Sequence, residues 1–464
     1  MTEQEHGTVI LAFMDLSKAF DRVPRDKLFK KLWKAGVRGK IYKVIKDIYS
    51  DNGARIRIGK YETKKIIIES GVMQRSRLGP TLFNIYINDL LVKLSSTRLG
   101  ARMQKTTITA LGYADDIVLL ADNPTKLQEQ IDICEQWCRE NGMRFSRHKC
   151  KVMALNARQK GLAFNLNGES IDIVSKIRYM GILFSRSRQT SLYGKHINEI
   201  LERAETRVNI IRHMGFQRDG LRSETAIRMY KIMVRPILEY GAQVLSYKHY
   251  FFVDRRAEKI EESTDIIRKL EKFQNKVLKK LTPCPKNTPP EILRLLTGTM
   301  PIAARLDMLK LRYFWKVHHA EKNNITYQVY LEIRENFLRG NEGFVHEVFN
   351  LCCKYKIMDL WHGKCPMGIN PLNSIRKIVE SYHLGKDEVA VQKIECMYRK
   401  MKIPGIKKYQ IEQRLTEVGR FQSSEHRGQF LHVLLDTAKY ERSCKNYGKK
   451  VKDLTDHGFN SVRV

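Results

Sequence analysis

The sequence has no apolar run long enough to cross a lipid bilayer. The longest one, Val9 to Met14, is far shorter than the roughly 20 residues that a transmembrane helix needs. The first residues, Met1 to Glu5, lack the basic and apolar segments of a secretory signal. Nine cysteines without regular spacing favour a reducing compartment over a disulfide scaffold. These absences predict an intracellular protein.

Acidic residues are scarce relative to basic ones. Lys and Arg total 84 and Asp and Glu total 50, which gives a formal net charge of +34. This charge favours a polyanionic partner, usually nucleic acid, over a merely basic surface. With 464 residues, 42% of them hydrophobic, the chain is long and apolar enough for two to four folded domains. Because no period of 20–50 residues repeats, a solenoid or propeller is excluded.

The first 185 residues have the patterns of a mixed α and β unit. Thr8 to Asp15 is a continuous apolar run that ends in an acid, which is typical of a buried central strand. Periodicity and turn residues predict helices over 25–35, 81–94 and 124–141, and strands over 54–59, 61–69, 106–112 and 117–121. Asn123 caps the third of these helices, and Gly142 ends it.

After about Ser185 the pattern becomes helical. The spacing of apolar residues predicts helices over 197–211, from Ser223 onward, and over 256–281, and Pro236 is expected to kink or end the second. The proline-rich stretch 282–290 predicts a rigid linker, and the chain beyond Met300 is basic and helical. The sequence therefore predicts an α/β unit, a helical unit and a basic tail domain.

Three acidic residues lie at the ends of apolar strands. Asp15 ends the first strand, and Asp115 and Asp116 lie between two others. A charge at such a place is costly unless it is compensated, and adjacent carboxylates repel each other. Oxygen ligands select Mg²⁺, and two such ions stabilise the attacking and leaving oxygens of an in-line phosphoryl transfer. The alternative is an ordinary turn, in which Asp-Asp pairs are common.

Five segments, in the family's order, resemble the motifs of reverse transcriptases. They are FMDLSKAFD (13–21) for motif A, GVMQ (71–74) with LGPTLFNIYINDL (78–90) for motif B, GYADD (112–116) for motif C, GMRFSRHKC (142–150) for motif D and RYMG (178–181) for motif E. Three further segments, 19–24, 240–242 and 301–306, are similar to non-LTR (LINE-like) retrotransposons in particular. The resemblance covers roughly residues 8–310.

The resemblance implies an α+β fold of three parts. Residues 1–185 would form a right-hand polymerase palm, an antiparallel sheet backed by helices. Residues 186–300 would form a helical thumb-like region, and residues 301–464 a basic, mostly helical C-terminal region of unknown role. Because motif A begins so near Met1, the fingers that normally precede it are missing, and the chain is expected to be N-terminally truncated.

Catalytic and metal-binding roles follow from the resemblance, position by position. Asp15, Asp115 and Asp116 match the family's metal-binding carboxylates, and the backbone carbonyl of Leu16 would also face a metal. The expected ions are two Mg²⁺, with Mn²⁺ as a substitute. Lys149 matches a lysine that protonates the leaving pyrophosphate. A solvated surface lysine is the alternative for Lys149.

Nucleotide and primer contacts follow in the same way. Phe20 matches an aromatic residue that blocks a ribose 2′-hydroxyl and so favours dNTP over NTP, with an ordinary core phenylalanine as the alternative. Gln74 matches a residue that contacts the incoming nucleotide and the template. Tyr113 would lie under the primer end, and Tyr179 and Gly181 would hold the primer backbone.

Four positions depart from the family's usual pattern. This chain has Met73 where the family usually has a proline, and Arg75 where the family has a glycine. It has Gly79 in place of a serine and Ser146 in place of an asparagine. The glycine lets the backbone approach the nucleotide closely, so Arg75 is expected to obstruct the site.

A possible zinc cluster lies far from these motifs. Cys352, Cys353, His362 and Cys365 resemble a Cys-Cys-His-Cys cluster of some LINE-like elements. The spacing fits zinc poorly, because adjacent cysteines splay apart and the last two ligands are close in sequence. Buried or surface thiols are the alternative.

The implied function is that of an RNA-directed DNA polymerase of a non-LTR retrotransposon, with two-metal transfer of a nucleotide from dNTP to a primer 3′-OH. Its partners would be an RNA template, a DNA primer and dNTP, without a membrane. It would be intracellular, and nuclear when engaged with target DNA. The alternative is a catalytically inactive, nucleic-acid-binding remnant whose palm folds but holds no dNTP. Primer extension separates the two.

Overall fold

The computed structural model describes residues 9–50, 52–155, 161–185, 194–216, 223–245, 265–282, 288–338, 343–365 and 370–400. The chain forms two compact units, residues 1–192 and 193–464. Within the described ranges, no helix combines the length and the apolar character that crossing a membrane requires. The finer division at residues 185 and 300 stays a prediction.

The first unit contains five helices and fifteen short or medium strands within its described residues. The helices are α1 (Ala19–Arg22), α2 (Arg25–Lys34), α3 (Gly39–Ser50), α4 (Gly79–Ser96) and α5 (Pro124–Asn141). The strands are β1 (Val9–Asp15), β2 (Gly53–Ala54), β3 (Arg57–Ile58), β4 (Tyr61–Glu62), β5 (Ile66–Ile67), β6 (Ala101–Arg102), β7 (Thr107–Ile108), β8 (Ala110–Tyr113), β9 (Asp116–Ala121), β10 (Lys151–Leu155), β11 (Asn165–Leu166), β12 (Glu169–Ser170), β13 (Asp172–Ile173), β14 (Lys176–Tyr179) and β15 (Ile182–Ser185).

The main sheet has the strand order β13-β10-β1-β9-β8. The pairs β10–β1, β1–β9 and β9–β8 are antiparallel, as predicted. The edge pair β10–β13 is parallel, so the prediction of an antiparallel sheet is wrong there. A tight hairpin can join only antiparallel strands, whereas a parallel pair needs a longer connection. Residues 156–171, which connect β10 to β13, are long enough for the chain to turn back and run parallel to β10.

Strand β1 is covered on both faces, which explains its continuous apolar sequence. Ile10, Ala12 and Met14 pack into the large core that the helices share. On the opposite face, Phe13 packs with Val118 and Met153 in a smaller cluster. A strand buried on both faces is apolar throughout rather than alternating. The central position predicted for this run is confirmed over Val9–Asp15.

A largely buried lysine side chain joins three helices of the first unit. The Nζ of Lys31 on α2 donates to the Tyr86 carbonyl at 2.8 Å and pairs with Asp89 at 2.8 Å, both on α4. The same ammonium lies 4.2 Å from the ring centre of Tyr86 and 4.7 Å from that of Trp137 on α5. The Trp137 indole N–H donates to Asp89 at 2.9 Å. The charge is therefore compensated by a carboxylate and two π faces.

The sequence signals at the ends of α5 are confirmed. The Asn123 side chain accepts from the backbone N–H of Lys126 at 2.9 Å, and Pro124 is the first helical residue. Gly142 follows the helix with a φ of +70°, the left-handed conformation in which a helix commonly ends.

The second unit is helical throughout its described residues. Its helices are α6 (Gly194–Ile211), α7 (Ser223–Met229), α8 (Arg235–Glu239), α9 (Asp265–Leu281), α10 (Pro290–Thr297), α11 (Ile302–His318), α12 (Ile325–Leu338), α13 (Phe344–Lys354), α14 (Met358–Trp361) and α15 (Pro371–Lys400). Its core includes fully buried residues of α11, α13, α14 and α15, among them Leu311, Phe314, Val348, Leu360 and Val379. The start of the predicted helix 256–281 and most of the predicted linker lie outside the described residues.

Pro236 changes the hydrogen bonding of its helix. A π-helical turn, Tyr230–Val234, joins α7 to α8, and the helix continues through Pro236 to Glu239. A proline lacks an N–H and clashes with the carbonyl four residues earlier, which lies in this turn. The wider π-helical turn accommodates both effects.

A bidentate ion pair ties α11 to α8. The Nε and Nη2 of Arg305 donate to the two carboxylate oxygens of Glu239 at 2.7 and 2.9 Å. Both side chains are largely buried. This geometry is the strongest form of an arginine-carboxylate contact.

Candidate active site

The three predicted carboxylates lie at one end of the β1–β9–β8 strands. Asp15, the last residue of β1, is opposite Asp116, the first residue of β9. Asp116 is also opposite Tyr113, the last residue of β8, so that Ala114 and Asp115 form the turn. Ala114 has a φ of +53° in this turn. The antiparallel register thus brings together acids that are 100 residues apart in sequence.

These carboxylates form a crowded negative site. Burial raises the pKa of Asp116 above its ordinary value, and the charges of Asp115 and Asp15 raise it further, while Lys149 acts in the opposite direction. The Oδ1 of Asp15 is buried and accepts no hydrogen bond, although the Lys149 ammonium lies 3.3 Å away. Excess negative charge with an unsatisfied oxygen is the setting in which a divalent cation binds.

The carboxylate oxygens of Asp15, Asp115 and Asp116 suit a hard cation in both charge and atom type. However, within the described ranges no three His, Cys, Asp or Glu side chains are arranged as the ligands of one metal ion. A cation would therefore have to draw these side chains together as it binds.

Motif D is attached directly to the end of β1. The Ser17 N–H donates to the Arg144 carbonyl and the Ser146 N–H donates to the Asp15 carbonyl, both at 2.8 Å. These bonds form an isolated bridge between Leu16 and Phe145 that does not use the Leu16 carbonyl. They explain how Lys149, distant in sequence, comes to lie beside Asp15.

Phe20 lies at the edge of the core, directly after this end of the sheet. Its ring stacks on Phe83 of α4, with centroids 4.8 Å apart and planes inclined by 18°. The Phe20 side chain is half-buried: part of it packs against the core, and part of it remains accessible to solvent. Its role in sugar selection stays a prediction.

The motif B loop runs beside Phe20 and positions Gln74. The Val72 N–H donates to the Phe20 carbonyl at 2.8 Å. The Gln74 amide donates to Oδ1 of Asp21 at 2.7 Å. The sequence alone assigns no role to Asp21, although this residue ends the motif A segment.

Two departures from the family pattern, in this loop and at the start of α4, have local consequences. Arg75 has a φ of +62°, which is a left-handed conformation. Glycine, the residue usual at this position in the family, adopts this conformation more readily than arginine does. Gly79 has no room for the serine of the family, because a Cβ there would lie 2.4 Å from the Met73 carbonyl oxygen. The N–H of Gly79 instead donates to the Ser76 hydroxyl at 2.8 Å.

The predicted primer contacts lie on two hairpins. Tyr113, at the end of β8, is 64% exposed. Tyr179, at the end of β14, packs on Phe13 with ring centroids 5.4 Å apart, and burial together with Asp116 raises its pKa. Met180 and Gly181 form the β14–β15 turn with φ of +48° and +76°, as a type I′ hairpin turn requires.

The possible zinc residues do not form a metal site. Cys352 is buried in α13, while the adjacent Cys353 is exposed, with its Sγ 3.9 Å from the sulfur of Met358. No cluster of metal-ligating side chains involves these cysteines or His362 within the described part of the chain.

Comparison with known proteins decides the nature of the first unit. Residues 1–184 match the family described as reverse transcriptase (RNA-dependent DNA polymerase). These residues are a reverse transcriptase domain. Reverse transcriptases generally use divalent metal ions, which agrees with the donor set of the three carboxylates.

The relatives of this reverse transcriptase domain come from non-LTR elements. The RNA-directed DNA polymerase from mobile element jockey of Drosophila melanogaster is 28% identical over 240 residues, which are 50% of this chain and 25% of the relative. A Pol polyprotein from type-1 retrotransposable element R2 of Popillia japonica is 32% identical over 156 residues, 33% of this chain and 22% of the relative. The chain thus spans about a quarter of the length of the curated relatives it matches.

A solved telomerase from Candida albicans, in complex with a fragment of telomeric RNA, shows a much weaker likeness. It aligns with 70% of this chain and 49% of its own, at 11% identity and a TM-score of 0.27. The roles of individual residues in the reverse transcriptase domain stay predictions.

Proposed function

We propose that this chain acts as an RNA-directed DNA polymerase of a non-LTR retrotransposon. Its substrates would be dNTP and a DNA primer paired with an RNA template, and it would act in the nucleus when engaged with target DNA. The observation that carries the proposal is the register that sets Asp15 opposite Asp116, with Asp115 in the adjoining turn of a reverse transcriptase domain.

The residues at this end of the sheet have separate tasks in the proposal. Asp15, Asp115, Asp116 and the Leu16 carbonyl would hold two Mg²⁺ ions, or Mn²⁺ in their place. Bound there, such ions stabilise the attacking and leaving oxygens of nucleotidyl transfer. Lys149 would give a proton to the leaving pyrophosphate from its place beside Asp15.

Other residues would bind and select the nucleotide and the primer. Phe20 would exclude a ribose 2′-hydroxyl, and Gln74 would contact the incoming nucleotide. Tyr113 would lie under the primer end, with the β14–β15 hairpin, including Tyr179 and Gly181, on the primer backbone. The accessible ring of Phe20 and the exposure of Tyr113 support these positions.

Primer extension by the purified full chain tests the proposal. With a primed RNA template, dNTP and Mg²⁺, we expect wild-type extension, and we expect Asp15→Asn and Asp115→Asn each to lower the rate by several orders of magnitude. Asp47→Asn, which changes an exposed acid on α3, is the matched control and should leave the rate unchanged. Tight binding of template and primer without extension would favour the inactive remnant instead.

A further inference from the structure

The end of motif A and the start of motif B are joined along their main chains. The Gly71 N–H donates to the Val23 carbonyl and the Val72 N–H donates to the Phe20 carbonyl, both at 2.8 Å. The loop that carries Gln74 therefore follows the segment that carries Phe20. The path of this loop is set by these main-chain bonds together with the Arg25 guanidinium, which donates to the carbonyls of Ile68, Ser70 and Gly71.

Asp21 lies at the centre of this junction. Its carbonyl accepts from the Ser70 hydroxyl at 3.0 Å. Its backbone is so close to Gly71 that a Cβ there would lie 2.7 Å from the Asp21 carbonyl oxygen. With its backbone held in this way, Asp21 directs its carboxylate at the Gln74 amide, with Oδ1 and Nε2 2.7 Å apart.

A carboxylate in this place fixes which way the glutamine amide faces. An ionised carboxylate only accepts hydrogen bonds, so the NH₂ group of Gln74 must face Asp21 and its Oε1 must face elsewhere. Both side chains are exposed, so the bond is not required to satisfy a buried group. Without it, an exposed glutamine would sample several rotamers and both amide orientations.

We propose that Asp21 is a positioning residue, which orients Gln74 and through it sets the affinity for the incoming nucleotide. The proposal rests on the proposed polymerase function. In this proposal, Asp21 itself contacts neither the substrate nor a metal ion. The competing interpretation is a surface hydrogen bond that only helps the loop to fold.

Steady-state extension kinetics on the full chain separate these two interpretations. Asp21→Ala should raise the KM for dNTP by about tenfold, with kcat changed less than about threefold, because a charge-assisted hydrogen bond that orients a binding group is lost. Asp21→Asn, which keeps an acceptor oxygen in the same place, should return the KM to within about threefold of wild type. Asp47→Ala is the control for removal of an exposed acid and should leave KM unchanged.

The decisive variant combines the two positions. If Asp21 acts through Gln74, then Asp21→Ala should change the KM less than about twofold in a Gln74→Ala background, because the two effects are not additive. A full tenfold effect in that background overturns the proposal. So does a KM that is unchanged by Asp21→Ala alone.

A spectroscopic measurement gives a result that does not depend on activity. In the full chain with ¹⁵N-labelled glutamine, the side-chain amide resonance that disappears in Gln74→Ala identifies Gln74. It should move in Asp21→Asn and Asp21→Ala but not in Asp47→Ala. An unmoved resonance overturns the proposal whether or not the chain extends primers. A moved resonance in a chain without any extension upholds the orientation of Gln74 by Asp21 and overturns the polymerase function and the nucleotide role together.

Discussion

The ammonium of Lys149 lies 3.3 Å from Oδ1 of Asp15, the oxygen that accepts no hydrogen bond at the carboxylate end of the sheet. The bridge between Leu16 and Phe145 brings the lysine to that place. The ammonium therefore supplies part of the positive charge that a divalent cation would supply. Lysine and cation should compete for Asp15, and cation binding should release Lys149 toward the leaving group.

Lys149→Met should consequently strengthen cation binding while it weakens catalysis. Because the lysine side chain is 66% exposed, the gain in affinity should be modest, about two- to fivefold. Loss of a general acid should lower the extension rate by about 10²-fold or more. A calorimetric Mg²⁺ titration and an extension assay measure the two effects. Lys126→Met, which breaks the ion pair between Lys126 and Asp122 at the N-terminal end of α5, is the control and should change neither quantity.

Arg75→Gly should stabilise the domain. Arg75 has a φ of +62°, which costs a residue with a Cβ about 1 kcal/mol or more relative to glycine. We expect the free energy of unfolding in urea to rise by up to about 1 kcal/mol, after the greater flexibility of glycine in the unfolded chain is included. Arg77→Gly, in the same loop at an ordinary φ, should lower it, and equal effects at the two positions would contradict the strain argument.

Removal of the Arg75 side chain should also increase the extension rate. A long side chain at the glycine position of the motif B loop should obstruct the nucleotide, and relief of about 1.4 kcal/mol of obstruction corresponds to about tenfold in rate. Primer extension at limiting dNTP measures this. Equal or lower activity of Arg75→Gly would mean that the guanidinium is tolerated or useful.

Phe20→Ala should admit ribonucleotides. If the accessible face of the ring meets the sugar, its removal should raise the efficiency with rNTP relative to dNTP by about 10- to 200-fold, a range typical of steric selection. Competition between rNTP and dNTP in extension assays gives this ratio. Phe29→Ala removes another half-buried ring of the same core, so it controls for lost packing and should leave the ratio unchanged.

Lys31→Ala should destabilise the first unit. It removes an ammonium that pairs with Asp89 and contacts the rings of Tyr86 and Trp137, at a cost of about 2–3 kcal/mol. Lys34→Ala, at an exposed position of the same helix, should cost less than about 0.5 kcal/mol. Urea unfolding monitored by tryptophan fluorescence compares the two variants.

Nucleic-acid binding should weaken steeply as salt rises. A net charge of +34 implies many phosphate contacts, and each phosphate neutralised on duplex DNA contributes a log–log slope of about −0.9. Fluorescence anisotropy of a labelled duplex across a series of salt concentrations measures the slope. A flat dependence would contradict the electrostatic account, even for a chain that extends no primer.

The elements that could be predicted from sequence are those whose signals are local. Asn123, Pro124 and Gly142 define both ends of α5, and the run from Val9 to Asp15 defines a strand covered on both faces. The pairing of Asp15 with Asp116 was implied only by the resemblance, because register depends on residues far apart in sequence.

Other features could not be predicted because they depend on tertiary contacts. The hydrogen bond from Gln74 to Asp21 joins residues 53 positions apart, and neither residue type signals the other. The parallel β10–β13 pair depends on the path of the intervening chain. The helix α3 is a different case, because Ile41, Val44, Ile45 and Ile48 recur at helical spacing, so its local signal was present in the sequence and was overlooked.

The ion pair between Arg305 and Glu239 links two segments that the sequence analysis noted separately. Glu239 directly precedes the segment 240–242, and Arg305 lies within the segment 301–306. Exchange of Glu239 alone would leave the largely buried Arg305 without its carboxylate, and exchange of Arg305 alone would leave Glu239 with only the longer contact to Arg235, at 3.3 Å. Across the lineages of these elements the two positions should therefore covary, with Arg and Glu kept, lost or exchanged together.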